Sequence, residues 1–351
     1  MVNQNIVFFM RHFTGRGVER SIYDYALHNE SILKNKSYIV SFSRNAQRNL
    51  NSEIHFPTKV VDYEMFSEKF TMLEIEIMED MKDIIEKYNI HFFYTQVHGQ
   101  PEPIYQFENK TIWGKCKTIK HTVFNTEYPE SDFHISSSQF VNLAFQKNIP
   151  VIPLMISFSE KEREIKSNLR ERLGIPSDAL VFGRYGAYDQ FDIPFVHYSI
   201  KGIVEREDMK HVYFLFMNTE PLFVKGGFPP YFHPNIFYLE FSSKNQDKIE
   251  FINTCDAMLH ARQSGETFGM SVAEFSIMNK PILTSPYGDN EHLLILKNKA
   301  LIYVNDKHLK YMIEHFKEYT SSNDDWNAYN DYVPEKVMNL FDKLVFSKYD
   351  N

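Results

Sequence analysis

The chain has 351 residues, of which 43% are hydrophobic and 24% are charged, and its formal net charge is -8. This length predicts two domains, and the acidic balance argues against a nucleic-acid-binding protein, which would present a basic face. No stretch approaches the ~20 apolar residues that cross a bilayer. The two cysteines, Cys116 and Cys255, lack metal-ligand spacing and predict a reducing, cytoplasmic setting.

Apolar strands alternate with helical patterns through the first half of the chain. The first ten residues lack the basic segment of a signal peptide, and residues 5–11 predict a buried strand instead. A helix is expected to follow and to run to about Leu33. Apolar residues at three- and four-residue spacing between Met65 and Tyr88 predict one long amphipathic helix. Further strands are predicted at 37–42, 90–97, 118–124 and 133–136.

A second alternating series follows an extended segment whose two prolines, Pro150 and Pro153, disfavour a helix and suit a connection between domains. We therefore expect domains at 1–154 and 155–332. A charged helix is predicted at 159–173. The later strands are predicted at 180–183, 211–217, 235–241, 257–262, 281–285 and 300–304, and the later helices at 195–204, 247–254, 268–278 and 309–316.

Strand–helix alternation over this length predicts an α/β fold with a doubly wound parallel sheet in each half. Ligands of such sheets bind at the carboxyl ends of the strands, on the loops that enter the helices. If the two sheets face each other, the active site is expected in a cleft between the domains.

The most informative segment, 255–275, is predicted to form a buried strand, a loop containing glycine and then a helix. The first N–H groups of a helix lack internal partners and carry positive potential, so this turn suits an anion such as a diphosphate. Glu266 lies just before the turn and Glu274 lies about two turns into the helix. Carboxylates accept hydrogen bonds from the vicinal hydroxyls of a hexose or a ribose.

Glu266-Thr-Phe-Gly-Met-Ser-Val-Ala-Glu274 resembles the family 4 glycosyltransferases, which are marked by Glu, seven residues and Glu, with Phe-Gly after the first Glu. The resemblance implies the GT-B fold, with two Rossmann-like domains facing a cleft. The first domain would take the acceptor, the second would bind the nucleotide-sugar donor, and the C-terminal segment 333–351 would pack back on the first.

The resemblance also implies roles for single residues of the segment. Glu266 would contact hydroxyls of the donor sugar, and Glu274 would hold the ribose hydroxyls. The backbone of Thr267, Phe268 and Gly269 would line the sugar, and the N–H groups of Met270 and Ser271 would meet the diphosphate. The alternative is an acidic, solvated first helical turn, because acidic side chains favour that end of any helix.

Residues 173–184 resemble the family's entry into its second domain, and Arg184 matches an arginine that contacts the donor diphosphate. The alternative is an arginine paired with a surface carboxylate. The sequence departs from the family five residues later, where Asp189-Gln190 replaces Lys-Gly. Arg262 is a hypothetical source of the missing positive charge, and equally a structural ion-pair partner.

Resemblance in the first domain is looser. Gly15, Arg16 and Gly17 match a glycine-rich turn that would line the cleft. His121 lies where the family often has a histidine reaching the donor sugar; the alternative is a histidine satisfied at a strand end. In the second domain, the loop 285–291 resembles one near the donor, with Gly288 as backbone contact. Lysines between 110 and 120 leave peripheral membrane contact open, against the alternative of a solvated loop.

The sequence therefore predicts a glycosyltransferase that moves a sugar from a nucleotide-diphosphate donor, with UDP expected, to a glycan or other hydroxyl acceptor. The family implies retention of anomeric configuration, no bound metal and no cofactor, since the nucleotide-sugar is a substrate. Glu266, Arg184 and His121 are the predicted catalytic residues. The alternatives are a non-catalytic GT-B homologue that binds a nucleotide or glycan, and a sugar-nucleotide epimerase. A phosphorylase would be far longer and would carry pyridoxal on a lysine.

Overall fold

The computed structural model describes residues 3–11, 13, 17–44, 46, 63–321 and 324–347. The chain divides into two compact units. The first joins Met1–Ser157 to the C-terminal segment Tyr332–Asn351, and the second comprises Phe158–Asp331. Each unit has its own buried apolar core.

The first unit contains a parallel sheet. Its described strands are β1 (Asn5–Met10), β2 (Lys36–Phe42), β3 (Thr71–Ile75), β4 (Phe92–Val97), β5 (Lys117–Thr122) and β6 (Phe133–Ser136). Their order across the sheet is β3-β2-β1-β4-β5-β6. Successive residues of β1 enter two different clusters, Phe8 in one and Phe9 in the other, because both faces of the sheet are covered.

Helices flank this sheet. Those described before residue 157 are α1 (Gly17–Ser31), α2 (Tyr63–Lys69), α3 (Met81–Tyr88), α4 (Lys110–Trp113) and α5 (Gln139–Ala144). The C-terminal helix (Pro334–Phe341), continued by a π-helical turn at Asp342–Phe346, packs on the same core as α1. The rings of Tyr25 and Phe341 lie 5.5 Å apart across that contact.

The prediction of one long helix at 65–88 is wrong. Strand β3 occupies the middle of the segment and separates α2 from α3. This strand pairs with β2 at the sheet edge, with Val40 opposite Leu73, so interstrand hydrogen bonds replace helical ones. Asp80 Oδ2 accepts the backbone N–H of Glu76 at 2.8 Å and so stabilises the turn that leaves the strand.

The second unit repeats the arrangement. The strands of its main sheet, as described, are β7 (Leu180–Tyr185), β8 (Val212–Met217), β9 (Ile236–Leu239), β10 (Ala257–Leu259), β12 (Ile282–Thr284) and β14 (Ala300–Ile302). Their order is β14-β12-β10-β7-β8-β9, and the neighbouring pairs are parallel. Two short strands, β11 (Gly265–Glu266) and β13 (Asp289–Asn290), form a separate pair. Chain order reverses between β7 and β10, which is where doubly wound sheets bind ligands.

Helices connect these strands. They are α6 (Glu160–Arg163), α7 (Leu169–Leu173), α8 (Pro194–Val204), α9 (Asn245–Thr254), α10 (Met270–Ile277), α11 (Glu291–Leu296), α12 (Asp306–Glu314) and α13 (Phe316–Tyr319). The single helix predicted at 159–173 is two helices. Between them, the Ile165 carbonyl accepts a hydrogen bond from Asn253 Nδ2 at 2.6 Å. Across the described ranges, no helix is both long and apolar enough to cross a bilayer. The prediction of a doubly wound parallel sheet in each half is confirmed.

Candidate functional site

Arg184 lies at the carboxyl end of β7, beside the point where the sheet order reverses. The residue is 4% exposed, and its guanidinium donates to neutral groups, namely Thr219 Oγ1 at 2.6 Å and the Ala187 carbonyl at 2.8 Å. Burial lowers the pKa of Arg184 to about 10, and the charge of Glu266 opposes that shift. The side chain is therefore a cation at neutral pH, held on a rigid strand end.

The carboxylate of Glu266 lies between two basic side chains of the loop after β10. Oε2 accepts from Arg262 Nη1 at 2.7 Å, and Oε1 lies 3.2 Å from His260 Nε2. Burial favours a raised pKa, but the hydrogen bond from His260 and the charge of Arg262 outweigh it and lower the pKa of Glu266. Glu266 is consequently an anion, 15% exposed, close to two arginine cations.

A polar chain continues behind Glu266 into the interior. His260 Nδ1 lies 2.8 Å from Thr284 Oγ1, and the same oxygen lies 3.0 Å from His292 Nε2. His260 is 4% exposed, and the other two residues are fully buried. Thr284 ends β12, the neighbour of β10, and the backbone N–H of His260 donates to the Leu283 carbonyl at 2.8 Å. Parallel pairing thus aligns residues 24 positions apart.

Helix α10 begins directly after the Glu266 loop. Gly269 occupies its N-cap with a φ of 79°, a conformation that glycine adopts readily. A Cβ at this position would also lie 3.3 Å from Cβ and Cγ of Glu266. No side chain of the described residues caps this end. The N–H groups of Met270 and Ser271 therefore have no partner within the helix and suit an anion.

Thr267 and Phe268 link Glu266 to this helix and are 4% and 2% exposed. The Tyr329 hydroxyl donates to the Phe268 carbonyl at 2.9 Å, and the two rings meet edge to face at 5.5 Å. These contacts with Tyr329 hold the loop in place. Any contact of Thr267 and Phe268 with a ligand would therefore be made mainly through the backbone.

Glu274 lies on α10 and is 4% exposed. The Tyr185 hydroxyl donates to its Oε2, and Lys248 Nζ on α9 lies 3.0 Å from its Oε1. Burial raises the pKa of Tyr185 well above its usual value, so the phenol remains a donor. A carboxylate has about four positions for accepting hydrogen bonds, and these partners use two. Recognition of a ribose by Glu274 stays a prediction that this geometry permits.

Gly288 makes a close backbone approach to the loop that carries Glu266. Its φ is +67°, and a Cβ on it would lie 2.0 Å from the carbonyl carbon of Ser264. Gly265 faces it with a φ of +66°, and a Cβ there would lie 2.1 Å from the Asp289 carbonyl oxygen. The two glycines let β11 and β13 pair. Contact of Gly288 with a donor remains a prediction.

We expect Gly288→Ala to lower the stability of the second unit by about 2–4 kcal/mol, because the new Cβ meets backbone that cannot rotate away. The thermal unfolding midpoint, followed by circular dichroism, should fall by roughly 5–10 °C. Gly174→Ala is the matched control, since Gly174 has the same φ of +67° and open space around it. Equal losses in the two variants would contradict a role for the close approach.

The loop after β7 contains Asp189-Gln190, where the family resemblance would have predicted Lys-Gly. Lys225 Nζ lies at this point, 2.7 Å from the Asp189 carbonyl and 3.0 Å from Asp192 Oδ2. Asp192 Oδ1 in turn accepts the backbone N–H of Gln263 at 2.7 Å, so the loops after β7 and β10 are joined. Arg262 pairs with Glu266, as described above, and its proposed replacement of the family lysine stays a prediction.

The candidates from the first half of the chain belong to the first unit. His121 on β5 is fully buried, and its Nδ1 lies 2.7 Å from the Tyr94 hydroxyl. Burial lowers the pKa of His121 to about 3, so the ring is neutral at physiological pH. Gly17 is the first residue of α1. Gly15 and Arg16 lie outside the described residues. The roles predicted for these residues remain predictions.

Sequence reasoning did not single out five residues that the fold brings to Glu266 and Glu274. The histidines, and the threonine between them, carry no local signal, because their partnership depends on the pairing of β10 with β12. Tyr185 lies on an apolar strand and Lys248 on a charged helix, so neither stood out in the sequence. The five residues are His260, Thr284, His292, Tyr185 and Lys248.

Solved structures share this fold at low sequence identity. A glycosyltransferase from Rickettsia africae ESF-5 matches with a TM-score of 0.65 at 16% identity, covering 100% of this chain and 98% of that chain. HepE from Anabaena, in complex with UDP and glucose, matches with a TM-score of 0.63 at 12% identity, covering 99% and 100%. A Listeria monocytogenes protein provisionally described as a UDP-N-acetylglucosamine 2-epimerase matches with a TM-score of 0.60 at 12% identity. This match covers 99% of this chain and 97% of that chain.

No protein-family model matches the chain, and no curated protein matches it. The likeness to the solved structures shows the GT-B fold, with one Rossmann-like domain in each unit. Identities of 16% and below carry no more than the fold.

Proposed function

We propose that this protein is a glycosyltransferase of the family 4 type, which transfers a sugar from a nucleotide-diphosphate donor to a glycan or other hydroxyl acceptor. The proposal depends mainly on the grouping of Arg184, Arg262 and Glu266. They lie at the point between β7 and β10 where the chain order of the sheet reverses, and Glu266 comes directly before the uncapped start of α10. Cations and helix N–H groups suit a leaving diphosphate, and a carboxylate suits sugar hydroxyls.

The proposed donor is a UDP-sugar, with retention of anomeric configuration and without a bound metal. Glu266 positions the sugar, and Arg184 stabilises charge on the leaving diphosphate. Because these groups are fixed before the reaction, they need no reorganisation in the transition state. The structure of HepE with UDP and glucose supports the choice of UDP, since that protein shares the fold. Family resemblance remains the basis for His121 as a donor-sugar contact.

Thermal stability against UDP, GDP, ADP and TDP tests the donor site. A nucleotide at 100 times its dissociation constant adds about 2.7 kcal/mol, which raises the unfolding midpoint by roughly 5–10 °C. We expect UDP to give the largest shift. Glu274→Gln should reduce that shift, because an amide replaces a ribose-accepting carboxylate.

The control is Glu250→Gln, which breaks the 2.9 Å ion pair of Glu250 on α9 with Arg172 on α7 and leaves Lys248 in place. This variant should keep the full shift with UDP. Absence of a shift with all four nucleotides at millimolar concentration would overturn the donor-site proposal. A nucleotide shift without any sugar transfer or donor hydrolysis would favour the non-catalytic homologue instead.

A sugar-nucleotide epimerase is the second candidate, favoured by the shared fold of the Listeria monocytogenes protein. Such an enzyme would interconvert sugar nucleotides without an acceptor. Chromatography of UDP-sugars after incubation with the pure protein distinguishes the two candidates. A new UDP-sugar would support the epimerase, whereas free sugar or a glycosylated acceptor would support the transferase.

A further inference from the structure

The positions of the protons in the hydrogen-bonded series His260–Thr284–His292 behind Glu266 follow from the chemistry of these side chains. An ionised carboxylate only accepts hydrogen bonds, so the Nε2 atom of His260 that faces Glu266 carries a proton. Burial lowers the pKa of His292 to about 3, so that ring is neutral. The single hydroxyl proton of Thr284 serves one ring, and the oxygen accepts from the other. Rotating the His260 ring would break both of its hydrogen bonds.

We propose that His260 is a positioning residue that orients the carboxylate of Glu266, and that Thr284 holds the His260 ring in place. His260 and Arg262 each bind a different oxygen of the carboxylate, which fixes its plane. About two accepting positions are left for a ligand that offers two hydroxyl donors. The inference rests on the proposed function, since orientation of Glu266 matters only if Glu266 binds the donor sugar.

A merely structural cluster would have a different consequence. Buried polar groups stabilise a fold when each is paired, and their loss lowers stability without regard to the ligand. A positioning residue instead affects the part of binding and turnover that depends on the sugar, because the proposed function assigns Glu266 to the sugar and not to UDP. The two roles therefore separate when UDP affinity and sugar turnover are measured on the same variants.

The first test is independent of activity. Long-range ¹H–¹⁵N spectra of the histidine rings, recorded at about pH 8 and assigned with His260→Gln, report which ring nitrogen carries the proton. We expect a protonated Nε2 on His260 in the intact protein. A neutral ring protonated on Nδ1 would overturn the proposal.

The second test compares two replacements of His260. The amide of His260→Asn reaches the position of Nδ1 and the amide of His260→Gln reaches that of Nε2, so only the glutamine can still donate to Glu266. We expect His260→Asn to lower kcat/KM for the UDP-sugar by about 10- to 100-fold and His260→Gln to retain most of it. UDP affinity should stay within about twofold in both.

Two replacements of Thr284 test whether its hydroxyl holds the His260 ring in place. Thr284→Val, which lacks the hydroxyl, should lower kcat/KM about 10-fold, and Thr284→Ser should restore it. Thr254→Val is the control, because Thr254 is equally buried but lies before β10, at the opposite end of that strand. This control should leave kcat/KM unchanged.

The outcomes separate the two proposals. Equal losses in His260→Asn and His260→Gln, or losses accompanied by equal losses of UDP affinity, would overturn the positioning role while an active wild type upholds the transferase. A wild type that turns over no UDP-sugar would overturn the proposed function, and the positioning role with it.

Discussion

Replacing Glu266 with glutamine should lower kcat/KM for UDP-sugar turnover by about 100- to 1000-fold, with UDP affinity preserved within a few-fold. Glutamine keeps the shape of the side chain but substitutes an N–H₂ donor for one acceptor oxygen. The change removes charge-assisted hydrogen bonds to the sugar and leaves Arg262 without its 2.7 Å carboxylate partner. The uncompensated cation still attracts a diphosphate, which is why UDP binding should persist.

Steady-state hydrolysis or transfer, measured alongside UDP titration by calorimetry, checks this prediction. Asp289→Asn is the matched control, since Asp289 also interacts electrostatically with Arg262 and lies on the strand paired with Glu266. We expect it to change kcat/KM by less than about threefold. Retention of full turnover by Glu266→Gln would mean that Glu266 does not contact the donor sugar.

Replacing Arg184 with methionine should weaken UDP binding by about 30- to 100-fold and lower kcat by about 100-fold or more. Methionine fills much of the same volume but removes a buried cation whose hydrogen-bond partners are neutral. Because the described hydrogen bonds of Arg184 go to neutral oxygens and not to a carboxylate, we expect its charge to be available to an anion. Arg184→Lys should fall between the wild type and Arg184→Met.

Arg170→Met provides the control for loss of structure. Arg170 also donates to backbone carbonyls, those of Thr254 and Ala179 at 2.9 and 3.0 Å, but near the amino ends of β10 and β7. Both methionine variants should lower the unfolding midpoint, and only Arg184→Met should weaken UDP binding in calorimetry. Equal UDP affinity in the two variants would assign Arg184 a structural role alone.

The local sequence pattern was sufficient to predict those helices and strands that show one clear hydrophobic periodicity. Alternation of buried strands with helices predicted the doubly wound sheet of both units, and the segment 255–275 was correctly expected to form a strand, a loop and a helix. The start of that helix was predicted at Phe268 and lies at Met270, because Gly269 takes a left-handed conformation at its N-cap.

Tertiary structure decided the features that depend on distant partners. The segment 71–75 has the spacing of a helix, yet it is a strand, because β2 offers an unpaired edge whose hydrogen bonds outweigh local periodicity. A register between β10 and β12 brings His260 beside Thr284, and packing of α9 against α10 brings Lys248 to Glu274.

The periodicity of the sequence was thus enough to predict the fold class. The two glutamates were identified as candidates from their place at a predicted helix start together with the family resemblance, and Arg184 from the resemblance alone. Only the folded structure decided which side chains hold those candidates in place. Such contacts join residues such as His260 and His292, or Lys248 and Glu274, across strands and helices. Their free energy arises from burial and pairing after folding, and the partners in these two pairs lie 32 and 26 positions apart in the chain.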